Sequence, residues 1–99
     1  MKKIALLCAA GMSTSVLVEK MKSAANEMGL ECEINAYPVS TAEEVGKTAD
    51  VMLLGPQVRY ELKRVKSICP NCPVDVIDMR AYGMMDGKAV VELARKLMG

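Results

Sequence analysis

The stretch IALLCAAGMSTSVLV, residues 4–18, holds fifteen residues without a charge. Its left half, Ile4 to Leu7, is a short unbroken apolar run, the pattern of a strand covered on both faces. Its right half, from Thr14 onward, starts an apolar stripe at helical spacing: Leu17, Met21, Ala24, Ala25 and Met28. Between them lie Cys8, two alanines, Gly11, Met12 and three hydroxyl residues. The stretch therefore predicts strand, tight turn and helix, with a cysteine at the hinge.

The same reading extends outward. The first strand covers about residues 3–8 and the first helix runs from Ser13 or Thr14 to Met28. Gly29 stands where a C-terminal glycine cap belongs. Residues 30–37 alternate and stop at Pro38, a second strand. Ser40-Thr41-Ala42-Glu43 fits a capping box for a short second helix fading near Gly46. Residues 50–54 form a third strand, closed by Gly55-Pro56. A third helix spans about 57–68 and stops before Pro70. Residues 74–77 make a fourth strand, DMRAYGMMDG a loop, and Asp86 caps a last helix ending near Met98. Helical crossovers of this length imply parallel strands and right-handed connections. The expected fold class is α/β: an open four-stranded parallel sheet, order 2-1-3-4, with helices on both faces in three αβα layers. A chain of 99 residues fits a single domain over 1–99. In such a sheet the ligand lies beyond the carboxyl ends of the strands where strand order reverses. Here that point falls between strands one and three, among the loops 8–15, 55–60 and 78–86.

Composition excludes several classes of function. The net charge is +1, so nucleic acid is not an expected partner. The one basic cluster is Arg59, Lys63, Arg64 and Lys66, of which Arg59, Lys63 and Lys66 would share a helix face and read as solvated surface. No apolar run approaches the roughly 20 residues that span a bilayer, and no signal peptide is visible, so a cytoplasmic location is expected. There is no histidine. Ser-His and Cys-His nucleophile pairs, imidazole zinc sites and a phosphohistidine on this chain are thereby excluded.

The cysteine loop is the chemical candidate. A residue between a strand end and a helix N-terminus meets unpaired backbone N–H groups and the positive end of the helix dipole. Both favour an anion, and a thiolate is the nucleophilic form of cysteine. Gly11 lets the turn bring its amides close, while Ser13, Thr14 and Ser15 supply hydroxyls. The loop has a single glycine, so it is not a dinucleotide fingerprint, and Gly46-Lys47-Thr48 lacks the earlier glycine and the strand of a nucleotide loop. A phosphatase-like loop would carry Arg where Thr14 stands, the main cation for transition-state charge. A phosphoryl group held by amides and hydroxyls on Cys8, without that cation, suits a carrier better than a hydrolase. A cysteine hydrolase of low-molecular-weight phosphatase type and a non-catalytic flavodoxin-like binding module remain the alternatives. The latter, as a receiver, would need an acidic cluster after strand one, which is absent.

CAAGMSTS (8–15) resembles the phosphocysteine loop of the IIB subunits of the lactose/cellobiose (chitobiose) class of the bacterial phosphoenolpyruvate-dependent sugar phosphotransferase system. ADVMLLGPQVRY and PVDVIDMRAYGMMDG resemble that family's third and fourth strands with their loops, so the likeness covers nearly the whole chain. The resemblance implies that a IIA protein passes a phosphoryl group from histidine to Cys8, which passes it to a sugar held by the membrane permease IIC. It implies Cys8 as catalytic nucleophile and Ala9, Ala10, Gly11, Met12, Ser13, Thr14 and Ser15 as the phosphate cradle. Met12, Gln57, Tyr82 and Met84 are then the pocket or partner-binding residues. The enzyme class would be a phosphohistidine–sugar phosphotransferase component, needing no cofactor and no metal. Arg59 and Arg80 fall on the right loops without belonging to the pattern. Because two partners must reach Cys8, an exposed apolar platform of Ala9, Ala10, Met12, Met79, Tyr82, Met84 and Met85 is expected around it.

Cys69-Pro70-Asn71-Cys72 invites a redox or zinc reading. It precedes strand four and, with Cys32, falls at the amino ends of the strands. A five-residue strand spans roughly 16 Å, which puts these thiols out of disulfide reach of Cys8. A thioredoxin-type motif would open a helix, whereas this one closes one. Structural thiols are the expectation for all three.

Overall fold

A computed structural model describes residues 1–9 and 14–99. Strand β1 (Lys2–Cys8) is followed by α1 (Thr14–Glu27), β2 (Cys32–Pro38), α2 (Ala42–Gly46), β3 (Val51–Leu54), α3 (Leu62–Ile68), β4 (Val74–Val76), α4 (Met79–Gly83) and α5 (Gly87–Met98). The four strands form one sheet in the order β2-β1-β3-β4, and every neighbouring pair is parallel. This is the arrangement expected from the apolar runs and helical crossovers.

Side-chain alternation divides the core. Ile4 and Leu6 of β1, with Val51 and Leu53 of β3, pack under α1 and α5 against Leu17, Met21, Val90, Val91 and Ala94. Ala5, Leu7, Met52 and Leu54 point the other way, toward Ala42 of α2 and Val65 of α3. The central strands are thus apolar at every position because both faces are covered. α1 stops at Gly29, whose φ of +70° is open to glycine. The Leu30 N–H donates to the Ala25 carbonyl at 2.9 Å and the Gly29 N–H to Asn26 at 3.2 Å, a Schellman closure.

Three local expectations are corrected. The 40–43 capping box does not form: residues Val39–Thr41 make a 3-10 turn, and the Thr41 hydroxyl donates to the Pro38 carbonyl at 2.7 Å instead of capping α2. The third helix begins only at Leu62, because Pro56–Glu61 is a 3-10 turn broken at Val58 (φ −118°, ψ 22°), whose side chain is buried in the core. Arg59 therefore does not lie on α3 with Lys63 and Lys66. The segment 78–87 is not all loop: its first half is α4. The Asp78 carboxylate accepts from the Ala81 N–H at 3.2 Å, and Met85, at φ 52°, closes the far end as Asp86 N–H donates to the Ala81 carbonyl at 2.9 Å. One helical turn is too short to show periodicity, and its caps, rather than an apolar stripe, define it. Asp86 caps α5 as expected, accepting from the Ala89 N–H at 3.1 Å.

Candidate functional site

The strand ends are tied together at the carboxyl rim. Leu7 pairs with Leu54, and the Gly55 N–H then donates to the Leu7 carbonyl at 2.9 Å. The Ile77 N–H donates to the Leu54 carbonyl at 2.8 Å. These bonds hold the ends of β1, β3 and β4 in one row. Cys8 is the last residue of β1, one position past the last β1–β3 pair, and opposite Pro38 on β2. It sits at the reversal of strand order, where open parallel sheets place their ligands. Its residue surface is 5% exposed, and its thiol lies 3.9 Å from the Tyr37 carbonyl as donor.

Ala9 is exposed, α1 opens at Thr14, and Ser15 is exposed in its first turn. Ala10, Gly11, Met12 and Ser13 of the expected cradle lie outside the described residues. The first turn of α1 contains no acidic residue, so no carboxylate there offsets the positive end of the helix dipole. Two carboxylates stand on the rim, Asp78 and Asp86, and each accepts a backbone N–H at the start of a helix.

Gly55 gathers the neighbouring pieces. A methyl group at this position would lie 3.7 Å from the Leu7 carbonyl oxygen, 3.2 Å from Gln57 Oε1 and 3.7 Å from Tyr82 Cε2. The residue before Cys8, the Gln57 side chain and the Tyr82 ring therefore converge on one backbone position. A groove of about 230 Å³ opens there, lined by Pro56, Gln57, Met79, Tyr82 and Gly83. Sequence reasoning placed Gln57 and Tyr82 in this neighbourhood and missed Pro56 and Gly83 as lining residues. The available signal was the Gly55-Pro56 strand stop, which ends β3 at the carboxyl rim.

The apolar platform is less uniform than expected. Met79 and Met84 are exposed, at 63% and 67%. Tyr82 is buried and Met85 half-buried, both against the core shared by α1 and α5. Tyr82 turns inward because α4 coils the segment, putting one side of that short helix on the sheet. Arg59, on the 3-10 turn, and Arg80, on α4, are exposed.

The other thiols lie at the opposite pole. The Cys69 thiol donates to the Ala42 carbonyl and the Cys72 thiol to the Ala49 carbonyl, each at 3.5 Å. Burial pushes the Cys32, Cys69 and Cys72 thiols above their ordinary range. None of the four cysteines is in a disulfide. Among the described residues no group of three His, Cys, Asp or Glu side chains could hold a metal ion, and no helix is long and apolar enough to cross a membrane.

Comparison with known proteins meets this geometry from another side. The family of lactose/cellobiose-specific IIB subunits of the phosphotransferase system matches residues 3–93. The oligo-beta-mannoside-specific EIIB component of Bacillus subtilis is 47% identical over 99% of this chain and 97% of its own length. The galactose-specific EIIB component of Lactococcus lactis subsp. cremoris is 45% identical, over 98% and 96% respectively. The solution structure of the cellobiose-specific IIB component from Borrelia burgdorferi superposes with a TM-score of 0.82 at 35% identity, covering 98% of this chain and 91% of that one. With the family matching residues 3–93 and relatives matching over nearly its whole length, this chain belongs to the lactose/cellobiose-specific IIB subunits of the sugar phosphotransferase system.

Proposed function

We propose that Cys8 is the phosphoryl carrier of this IIB component, and that residues 1–99 act as one IIB domain. In the first step the Cys8 thiolate attacks phosphorus on a phosphohistidine of a IIA protein. A P–S bond forms, the P–N bond breaks, and the histidine nitrogen keeps the electron pair. In the second step a hydroxyl oxygen of a sugar held by the membrane permease IIC attacks the same phosphorus. A P–O bond forms, the P–S bond breaks and the thiolate is restored, while the hydroxyl proton leaves to a base of the permease or to water. Such transfer depends on positioning and charge stabilisation more than on covalent help from the protein.

The observation that carries this reading is the place of Cys8: the last residue of a central strand at the reversal of strand order, just before a helix whose first turn has no carboxylate. Amides and hydroxyls of Ala9 to Ser15 would cradle the phosphoryl oxygens. Gln57, Tyr82, Met84 and Met12 would line the pocket or meet the partners. Met79 and Met84 give the rim a deformable apolar surface suited to two partners in turn. The protein would work in the cytoplasm, against the inner face of the permease.

The test is transfer from a phosphorylated IIA protein, read by intact mass and peptide mapping. One phosphoryl group on Cys8 is expected, chased off by permease-bound sugar. Cys8→Ser should take up no transferable phosphoryl group while keeping the parent's unfolding midpoint. Phosphate on another residue, or a Cys8→Ser chain that still relays it, overturns the assignment.

A further inference from the structure

At the pole opposite Cys8, the C-x-x-C between α3 and β4 is unused by the proposed relay. Cys69 ends α3, and the Cys72 N–H donates back to the Cys69 carbonyl at 3.2 Å, closing a β-turn over Pro70 and Asn71. A hydrogen-bonded turn brings its first and fourth Cα atoms within about 7 Å. Disulfides need Cα atoms roughly 4.4–6.8 Å apart. The turn thus brings the pair to the neighbourhood of bridging range, and closure further needs the two side chains to swing toward each other. What holds them apart is weak: one thiol donates to Ala42, the other to Ala49, at 3.5 Å each. The turn borders a cleft of about 300 Å³ whose lining includes Glu43, Lys47, Pro70 and Asn71 besides the two cysteines. A small reagent can therefore reach the pair.

We propose that Cys69 and Cys72 form a dithiol that closes into an intramolecular disulfide by exchange with a low-molecular-weight disulfide. Cys72, the less buried of the two, enters first. Its thiolate attacks one sulfur of the reagent, a mixed disulfide forms and the first small thiol leaves. The Cys69 thiolate then attacks the Cys72 sulfur, the Cys69–Cys72 bond forms and the second small thiol leaves. The pair loses two electrons and two protons. The reagent gains both electrons, and each departing thiol takes up a proton. Cys69 is nearly enclosed, its sulfur seated on Gly46, where an added methyl group would collide with it. It resolves and does not initiate. Burial, then the neighbouring Cys69, then Asp50, push the Cys72 thiol up to about 11. Glu43 further raises Cys69 while Arg64 lowers it, and Lys47 lines the same cleft. The exchange is therefore slow at neutral pH and quickens as pH rises.

The test treats a folded Cys8→Ser, Cys32→Ser chain with oxidised glutathione and reads intact mass and the tryptic peptide of residues 67–80. The expected product lacks two hydrogens, carries no adduct and has both cysteines linked within that peptide. Cys72→Ser in the otherwise unaltered chain should never lose two hydrogens. A lasting glutathione adduct on the paired chain, a covalent dimer, no reaction at alkaline pH, or a two-hydrogen loss in Cys72→Ser overturns the proposal. Should the double variant not fold, the same peptide from the unaltered chain decides between these outcomes. Phosphoryl transfer at Cys8 plays no part in the readout.

Discussion

Gly87→Ala tests how tightly the helices α1 and α5 are locked together behind the sheet. Gly87 is the first residue of α5 and lies on the backbone of α1. A methyl group there would sit 2.5 Å from the Lys20 carbonyl oxygen and 2.6 Å from the Met21 nitrogen. Ordinary contact begins near 3.4 Å and the Lys20 carbonyl carbon is closer still, so the two backbones must part by about 1 Å. No rotamer relieves this, because a methyl group has none and both obstacles are main chain. Parting α1 and α5 loosens Leu17, Met21, Val90, Val91 and Ala94, all essentially inaccessible to solvent. Overpacking of this kind costs about 1–3 kcal/mol. The better helix propensity of alanine returns less than about 1 kcal/mol. A net loss of about 1–2 kcal/mol is expected, which for a domain of this size lowers Tm by about 4–16 °C. Gly83→Ala is the matched control: the same added methyl group, also in a helix, with nothing within 4 Å. It should be neutral or stabilise by up to about 1 kcal/mol. Urea unfolding of the three proteins decides the matter. If Gly87→Ala stays within about 0.5 kcal/mol of the parent at unchanged m-value, the close packing of α5 on α1 is wrong.

Asp86→Ala removes the side chain that accepts the Ala89 N–H, and should cost about 1 kcal/mol in thermal or urea unfolding. Gly29→Ala forces a side chain onto a φ of +70°, and should cost about 1 kcal/mol with no loss of phosphoryl transfer. Stability should also depend on alkaline pH through Cys72. Its folded value, about 11, lies above the ordinary 9.0, so the native state holds a proton that the unfolded chain releases. That contribution is complete below about pH 8.5, falls as pH rises, and is gone above the folded value. Cys72→Ser should flatten the stability difference between pH 8 and 11 relative to the parent, measured by urea midpoints; an unchanged slope contradicts the burial of that thiol.

The parts of the fold that could be read from sequence are those where burial is two-sided. Ile4 to Leu7 and Val51 to Leu54 are apolar at every position because α1 and α5 cover one face and α2 and α3 the other. That pattern, with helix-length spacers, leaves few sheet orders open. The pieces that escaped reading are set by single hydrogen bonds instead. α4 exists because Asp78 and the Met85 turn cap its two ends, and neither leaves a periodic trace. The 3-10 turn at Pro56–Glu61 follows from Val58 seeking the core, a tertiary demand that no local rule encodes. The same holds for the rim groove. Gln57, on the 3-10 turn, and Tyr82, on α4, follow strands whose topology directs them to the carboxyl end of the sheet, but their convergence on Gly55 beside the β1 terminus is a tertiary outcome.

The nature of the sugar is illegible for a physical reason. Relatives named for oligo-beta-mannosides and for galactose match this chain at 47% and 45% identity, and the solved structure at 35% identity is named for cellobiose. A groove of about 230 Å³ is built from Pro56, Gln57, Met79, Tyr82 and Gly83, mostly apolar groups. Among the described residues it holds no ring of paired donors and acceptors of the kind that discriminates one hydroxyl pattern from another. On the proposed relay the group exchanged at Cys8 is a phosphoryl, identical for every sugar. Selection must then act where hydroxyl groups are bound, in the permease, and replacing any of the five lining residues should change the rate of transfer to all sugars in the same proportion. A substitution among them that reverses the preference between two sugars would locate part of the recognition in this chain and break that reasoning.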